Sequence, residues 1–166
     1  MILKGKALKL ADNINTDLII AGRYKFSITD IKELAKHIME DIDPSFYKKI
    51  EYKKTILVAG KNFGCGSSRE QAPLVIKEAG IIAVVAKSFA RIFYRNSFNV
   101  GLPLIEMDTS QIQENDYLFI DLEKAIIKNI TKNFEYKINP LPLFMQNFIK
   151  EGGVINYIKK YKDIKI

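Results

Sequence analysis

Short apolar runs alternate with helix-like patterns in the middle of the chain. Residues 55–59 (TILVA) and 81–86 (IIAVVA) are such runs, and their length and composition predict buried strands. Residues 73–80 and 88–96 have helical spacing, and a third short strand is predicted over residues 102–106. The order strand, helix, strand, helix, strand predicts a parallel α/β core, whose loops gather ligands at one edge of the sheet.

The remaining segments complete the predicted architecture. Residues 2–10 alternate loosely and predict a strand, and residues 31–38 have helical spacing behind a polar cap. Polar turns divide residues 116–138 into the three strands of a β-meander, and two amphipathic helices are predicted within residues 143–161. We therefore expect an α/β fold with a central parallel or mixed sheet, flanking helices and a β-meander in the C-terminal third.

The composition favours one globular domain over residues 1–166. Hydrophobic residues make up 48% of the chain and charged residues 27%. The apolar runs are far shorter than the roughly 20 residues that a membrane-spanning helix needs. The first residues lack the apolar stretch and the small-residue cleavage site of a secretory signal. We expect a soluble protein of the cytoplasm with no membrane partner.

The basic character of the chain raises the question of a nucleic-acid partner, since the net charge is +7. Only four of the 26 basic residues are arginine, and the lysines are scattered. Scattered lysine favours a solvated surface over a nucleic-acid interface, so no nucleic-acid partner is expected. Arginine suits two-pronged recognition of carboxylates. Arg69, Arg91 and Arg95 lie beside the motifs described next, and Arg23 lies in a second candidate loop. Structural ion pairs are the alternative interpretation.

Cys65 is the only cysteine and His37 the only histidine. One thiol cannot form an internal disulfide, and it cannot by itself hold a zinc ion or an iron–sulfur cluster. We predict no metal site in this chain. A nucleophilic or redox role for Cys65 is disfavoured because His37 falls on a predicted helix, where we interpret it as a surface residue. The simpler interpretation of Cys65 is a small residue between two glycines.

The loop at residues 60–69 follows a predicted strand and precedes a helix, which is where parallel sheets bind ligands. It lacks the Lys-Ser/Thr ending of a phosphate-binding loop and the third glycine of a dinucleotide fingerprint, so ATP and NAD are not expected. The loop displays Ser67, Ser68 and Arg69 instead. A serine acts as a base only when its alkoxide is stabilised, and backbone N–H groups, a helix N-terminus and Arg69 are groups of the right kind.

The same residues also allow a structural interpretation. Ser67 and Glu70 have the spacing of a capping box, which would place the serine at the start of a helix. Pro73 would then fall beyond the first helical turn, so the other interpretation is a helix that begins nearer Glu70 and leaves Ser67 free. The residues alone leave both interpretations open.

Four segments carry motifs in a fixed order. Residues 60–73 read GKNFGCGSSREQAP, and residues 15–20, 87–96 and 99–103 read NTDLII, KSFARIFYRN and NVGLP. All four resemble motifs of the swivelling domain of the aconitase superfamily, especially of the small subunits of 3-isopropylmalate dehydratases. The resemblance covers residues 5–106 and is highly specific.

This resemblance implies half of a hydro-lyase active site. In that family the first serine of the Ser-Ser-Arg motif removes a proton and the arginine holds a substrate carboxylate. A base at Ser67 and a carboxylate clamp at Arg69 are therefore implied. Ser68 is implied to contribute hydrogen bonds to the substrate, and Thr16 and Asp17 are further implied substrate-binding residues.

Two departures and one missing ligand set qualify the resemblance. Gln71 stands where the family usually has His, and Asn15 stands where it often has Asp, but neither belongs to the Ser-Arg core. The resemblance also implies a four-iron, four-sulfur cluster, held by three cysteines, that acts as a Lewis acid on the departing hydroxyl. Because this chain has only Cys65, the cluster is expected on a separate large subunit.

The loop at residues 22–29 occupies the position that contacts the variable side group of the substrate in this family. The predicted specificity residues are Arg23, Tyr24, Lys25, Phe26, Ser27 and Ile28. Phe26 and Ile28 suit an apolar pocket for an isopropyl group, whereas Arg23, Lys25 or Ser27 suit the carboxylate of a longer acid. The loop leaves both substrates open, and an ordinary surface loop is the alternative.

The resemblance implies reversible dehydration and rehydration of a 2-hydroxy di- or tricarboxylic acid. The first expectation is exchange between 2-isopropylmalate and 3-isopropylmalate in leucine biosynthesis, with activity only beside a cluster-bearing large subunit. Homoaconitase or another malate-type dehydratase is the alternative within this class. A non-catalytic RNA binder, using the basic stretch at residues 157–162, is a hypothesis of a different class and predicts salt-sensitive RNA affinity.

Overall fold

The computed structural model describes residues 1–24 and 26–162. Within these residues seven strands form one sheet: β1 (Ile2–Lys9), β2 (Thr55–Ala59), β3 (Ile81–Ala86), β4 (Leu104–Glu106), β5 (Tyr117–Asp121), β6 (Ile126–Asn129) and β7 (Phe134–Lys137). The same residues form the helices α1 (Thr16–Ile19), α2 (Ile31–Ala35), α3 (Phe46–Lys49), α4 (Gln71–Glu78), α5 (Arg91–Asn99), α6 (Leu143–Lys150) and α7 (Val154–Tyr161). A 3-10 turn, Gly22–Tyr24, follows α1.

The sheet runs in the order β4-β3-β2-β1-β5-β6-β7. Strands β1 to β4 are parallel, and β5, β6 and β7 extend the sheet beyond β1 as an antiparallel meander. Parallel neighbours need a crossover, which α1 to α3 provide between β1 and β2, α4 between β2 and β3, and α5 between β3 and β4. The expected α/β fold, with its mixed sheet and C-terminal meander, is confirmed.

The centre of the sheet is apolar on both faces. All of β2 and all but one residue of β3 are buried. Helix α4 contacts β3 and buries Ala72, Pro73, Val75 and Ile76. Burying a side chain of the size of Val75 or Ile76 contributes roughly 1.5–3 kcal/mol. This central layer therefore gives the loops at the strand ends a rigid base.

Three helices differ from their predicted ranges: α4 lies two residues earlier than predicted at both ends, and the other two differ for a tertiary reason. Helix α2 ends at Ala35, earlier than predicted, because Met39 has a φ of 52° and donates its N–H to the backbone of α1 at 2.9 Å. Helix α5 begins at Arg91, later than predicted, because Phe89 forms a β-bridge with Phe63. Neither contact is local in the sequence, so helical spacing alone does not reveal it.

The C-terminal helices α6 and α7 pack against α5. Their predicted ranges are confirmed, and Gly152 and Gly153 separate them. A Cβ on Gly153 would lie 2.6 Å from the carbonyl oxygen of Asn99, so only glycine permits this approach to the end of α5. Of the helices in the described ranges, none is long and apolar enough to cross a membrane.

Candidate active site

Three loops meet beyond the ends of β1, β2 and β3. Asn15, after β1, forms a parallel β-bridge with Cys65, after β2. Phe63 forms a second parallel bridge with Phe89, after β3. The loops thus continue the sheet past its regular strands, and their side chains collect at its carboxyl edge, where the sequence predicted the site.

Backbone hydrogen bonds and an aromatic contact fix the loop after β2. The Gly64 N–H donates to the carbonyl of Ile14 at 2.7 Å, and the Ala90 N–H donates to the carbonyl of Phe63 at 2.9 Å. The Phe63 ring is fully buried and meets Phe93 edge-on, with ring centroids 5.3 Å apart. Contacts from both neighbouring loops therefore hold this segment.

Two glycines shape the same loop. Gly64 has a φ of 79° and Gly66 a φ of 89°, which are left-handed conformations that a residue with a Cβ adopts only at a cost. A Cβ on Gly64 would lie 2.2 Å from Phe93, whereas a Cβ on Gly66 would lie no closer than 3.5 Å to Asn15. Gly64 is therefore required for conformation and space, and Gly66 for conformation alone.

Gly64→Ala is expected to destabilise the chain more than its matched control, Gly66→Ala. Backbone strain costs about 1–2 kcal/mol at either position. The overlap with Phe93 adds about 1–3 kcal/mol at Gly64. Urea unfolding followed by circular dichroism measures the free energy of unfolding of both variants. Equal losses would contradict the packing role of Gly64.

Ser67 and Ser68 are exposed on the stretch before α4. Helix α4 begins at Gln71, with Glu70 at the N-cap position, and no side chain caps it. The capping box is not formed, and among the described residues no group hydrogen-bonds the Ser67 hydroxyl. Pro73 falls in the first turn, where its missing N–H removes no helical hydrogen bond. Of the two interpretations of this segment, the structure has the one that leaves Ser67 free.

Thr16 anchors the serine loop through the main chain. Its hydroxyl donates to the carbonyl of Ser67 at 2.8 Å, and its N–H donates to the carbonyl of Cys65 at 2.9 Å. Thr16 opens α1, and the Asn15 side chain caps that helix by accepting the Leu18 N–H at 2.8 Å. Asn in place of Asp at position 15 keeps this cap, because both side chains accept the bond.

Arg69 is oriented by two groups from the region of α1. Its Nη1 donates to the carbonyl of Ile20 at 2.7 Å, and its Nη2 donates to the carboxylate of Asp17 at 2.5 Å. A guanidinium carries further N–H donors, which these two bonds leave available to a ligand. A Cβ on Gly22 would lie 3.1 Å from Nη2, so glycine allows the close approach. Asp17, a predicted substrate-binding residue, thus hydrogen-bonds Arg69 in the structure.

A cleft of about 370 Å³ opens beside these residues. Ser67, Ser68 and Arg69 form one wall, and Thr16 contributes to the same lining. The first turns of α5 form another part of the wall through Arg91, Ile92, Phe93 and Asn96. The structure thus brings the predicted serine loop and Thr16 together in one concave site.

The α5 wall is the part of the site that sequence reasoning missed. Ile92 and Asn96 carry no predicted site role, and Arg91 was noted only as a possible carboxylate binder, although the family motif at residues 87–96 contains all three. Their position in the sequence could have indicated that they line the site. Helix α5 follows β3 after a short loop, so its first turn must lie at the carboxyl edge of the sheet.

Charged contacts hold the predicted specificity loop to the turn after α2. Arg23 donates to both carboxylate oxygens of Asp41, at 3.0 and 2.6 Å. The Tyr24 hydroxyl donates to Glu40 at 2.7 Å. Hydrogen bonding by Arg23 holds the pKa of the Asp41 carboxyl below its usual value. The start of the loop is therefore fixed by ionic partners.

His37 lies on the turn after α2, so its predicted helical placement was wrong, and its side chain is 33% exposed. It follows α2, stacks on the Tyr24 ring with centroids 4.2 Å apart, and places Nδ1 2.5 Å from Glu40. Hydrogen bonds with His37 and Tyr24 hold the pKa of the Glu40 carboxyl below its usual value. The single histidine thus supports the specificity loop.

The remaining described residues of this loop differ in burial and in contacts. The Ser27 hydroxyl donates to a carbonyl within the loop at 3.2 Å, Ile28 packs on the core, and Phe26 is 89% exposed. Lys25 lies outside the described residues. The predicted specificity residues that are described do not line the 370 Å³ cleft, and the loop approaches Arg69 at Gly22.

The side chains present do not fit an iron–sulfur cluster. Over residues 1–24 and 26–162, no three His, Cys, Asp or Glu side chains are grouped so that they could hold a metal ion. The whole chain has one cysteine, whereas such a cluster needs three or four. Cys65 instead contributes its backbone to the bridge with Asn15.

Comparisons with known proteins agree with the fold and with the motifs. Residues 3–110 match the family described as the aconitase C-terminal domain. The chain is 55% identical to the 3-isopropylmalate dehydratase small subunit of Caldicellulosiruptor saccharolyticus, over 96% of this chain and 92% of that protein. It is 52% identical to the 3-isopropylmalate dehydratase small subunit 2 of Archaeoglobus fulgidus, over 100% of both chains.

A solved structure extends the agreement to three dimensions. The crystal structure of a 3-isopropylmalate dehydratase from Methanocaldococcus jannaschii superposes with a TM-score of 0.92 at 49% identity, over 98% of this chain and 96% of that one. Sequence similarity and fold therefore cover nearly the whole chain. The chain belongs to the aconitase C-terminal domain family and, within it, to the small subunits of 3-isopropylmalate dehydratases.

Proposed function

We propose that this chain is the small subunit of a two-part hydro-lyase that interconverts 2-isopropylmalate and 3-isopropylmalate, a step of leucine biosynthesis. The observation that carries the proposal is the cleft that the free Ser67 hydroxyl shares with Arg69. The relatives named above support the substrate, because each is named as a 3-isopropylmalate dehydratase. The proposal includes a cytoplasmic location and a single working domain over residues 1–166.

Ser67 acts as the base. It removes a proton from a carbon next to a substrate carboxylate, and the electrons of the broken C–H bond form a carbon–carbon double bond as hydroxide leaves the neighbouring carbon. The Ser67 alkoxide that accepts the proton needs stabilisation, which the charge of Arg69 and the N-terminal end of α4 supply. On rehydration Ser67 returns the proton, and water is added with the opposite placement of H and OH.

Arg69 holds the carboxylate next to the reacting carbon. Asp17 fixes the guanidinium before the substrate arrives, so binding costs less conformational entropy. Asp17 therefore contributes to substrate binding through Arg69, and Thr16 contributes through the backbone of Ser67. Ser68 adds a hydrogen bond from the same wall of the cleft.

The departing hydroxide needs a Lewis acid that this chain does not hold. A four-iron, four-sulfur cluster bound to the large subunit would supply that chemistry. Membership among small subunits implies a large-subunit partner. The single cysteine of this chain supports placing all cluster ligands on that partner.

The names of the relatives, together with one exposed ring in the specificity loop, support an apolar side group on the substrate. The Arg23 guanidinium binds the carboxylate of Asp41 within the chain, and Lys25, the other cation of the loop, lies outside the described residues. Phe26 exposes most of its ring. An isopropyl group, which the names of the relatives imply, would suit this exposed apolar ring.

Reconstitution with the cluster-loaded large subunit tests the proposal. The pair is expected to turn over both isopropylmalates with a higher kcat/KM than homoaconitate, and this chain alone is expected to be inactive. A higher kcat/KM with homoaconitate would assign the alternative substrate. An inactive pair, together with salt-sensitive RNA binding by the isolated chain, would replace the enzyme with an RNA-binding protein.

A further inference from the structure

Helix α5 carries two exposed arginines, Arg91 and Arg95, one turn apart on the same face. The other two arginines of the chain, Arg23 and Arg69, each bind a carboxylate within it. In the part of the chain that the structure describes, Arg91 and Arg95 have no ion pair and no hydrogen bond from their side chains. Their guanidinium groups are therefore available to bind carboxylates of another molecule.

The two arginines line an open groove of about 460 Å³ that adjoins the catalytic cleft. Phe89 and Tyr94 form part of its wall, and Glu106 also lines it. Glu106 accepts the Phe89 N–H at 3.3 Å and, within the described residues, pairs with neither arginine. Because Arg91 lines both the groove and the cleft, a protein that closes the cleft on this side also covers the groove.

Ile92 adds an apolar side chain to the same surface. Its side chain is 53% exposed and lines the cleft. In the sequence Ile92 lies between the two arginines. A single exposed isoleucine is ordinary. The two neighbouring arginines set this isoleucine apart, because protein interfaces are enriched in arginine and depleted in lysine. Most basic residues of this chain are lysine, so two arginines beside one exposed isoleucine are unusual on its surface.

We propose that this face of α5, formed by Arg91, Ile92 and Arg95, docks the large subunit against acidic side chains. The proposal rests on the proposed function, in which a second chain completes the active site. Each guanidinium can form two parallel hydrogen bonds with one carboxylate. The partner surface therefore presents Asp or Glu carboxylates around an apolar patch that receives Ile92, and it lies directly over the Ser67 cleft.

Charge reversal at Arg95 tests the proposed ion pairs with the large subunit. Arg95 suits this test because it lines the groove but not the catalytic cleft. Arg95→Glu in the full chain is expected to raise the Kd for the large subunit at least about tenfold, with a weaker dependence of Kd on salt. Lys137→Glu is the matched control, an equal charge reversal on exposed β7 at the far edge of the sheet. It is expected to leave the Kd within about twofold of the wild type.

The apolar part has its own matched pair. Ile92 and Ile130 are both 53% exposed, but Ile130 follows β6, away from the cleft. Ile92→Asn is expected to weaken binding of the large subunit about tenfold and Ile130→Asn to leave it unchanged. Circular dichroism of each variant checks that the fold is retained.

The outcomes separate this inference from the proposed function. A wild-type pair that associates but turns over no hydroxy acid, with binding lost in Arg95→Glu, would overturn the function and support the docking face. Wild-type affinity in both Arg95→Glu and Ile92→Asn would overturn the docking face, whatever the pair catalyses. Loss of RNA binding, and not of subunit binding, in Arg95→Glu would also overturn it.

Discussion

Ser67→Ala should lower the kcat of the reconstituted pair by about 10²–10⁴-fold, which is the usual contribution of a general base. The change removes one exposed oxygen, and no described group depends on that hydroxyl for a hydrogen bond. The carbonyl that binds Thr16 belongs to the backbone and is retained. Steady-state kinetics at saturating large subunit measure the effect, and the Kd between subunits should remain that of the wild type.

Ser45→Ala is the matched control for the loss of a serine hydroxyl. Ser45 is exposed and lies before α3, and within the described structure its hydroxyl donates only to the neighbouring Asp43. Its replacement should leave kcat unchanged. Near-normal turnover by Ser67→Ala would show that another group removes the proton, and the assignment of the base would then be wrong.

Arg69→Lys should lower kcat/KM by about 10²-fold, the second largest effect that we expect. A lysine has one ammonium group, which cannot bind the Ile20 carbonyl and the Asp17 carboxylate while also presenting a planar fork to the substrate. Both kcat and KM should worsen, because a misplaced carboxylate also misplaces the proton that Ser67 must remove.

Asp17→Asn gives the comparison for that variant. The amide oxygen still accepts a hydrogen bond from Arg69, and the bond to Ile20 remains, so the loss in kcat/KM should be smaller than for Arg69→Lys. Equal losses would mean that the charge of Asp17, and not the guanidinium geometry, controls the reaction. Unchanged kcat/KM in Arg69→Lys would contradict the carboxylate clamp.

Sequence patterns predicted the strands where burial dictates composition. β2 and β3 are apolar on both faces because layers cover both, and their runs were recognisable for that reason. The start of α5 was missed because Phe89 pairs with Phe63, which lies in a different loop. Local periodicity cannot report a contact between distant segments.

The candidate site also has a part that the sequence predicted and a part that it did not. The chemistry of Ser67 and Arg69 could be read from residue types and from the family resemblance. Their supports could not, because the bonds from Thr16 to Ser67 and from Arg69 to Asp17 join positions about 50 residues apart in the chain. The stacking of His37 on Tyr24 was hidden likewise, since it depends on how the chain turns after α2.

The β-bridges at the carboxyl edge of the sheet have a consequence for assembly. Asn15 pairs with Cys65 and Phe63 pairs with Phe89, so the loop that bears the serine is ordered by its own chain. Fixing the backbone of a flexible residue costs roughly 1–2 kcal/mol. This conformational entropy is already lost when the small subunit folds. Its half of the site is therefore preorganised, and it binds the partner without a disorder-to-order transition.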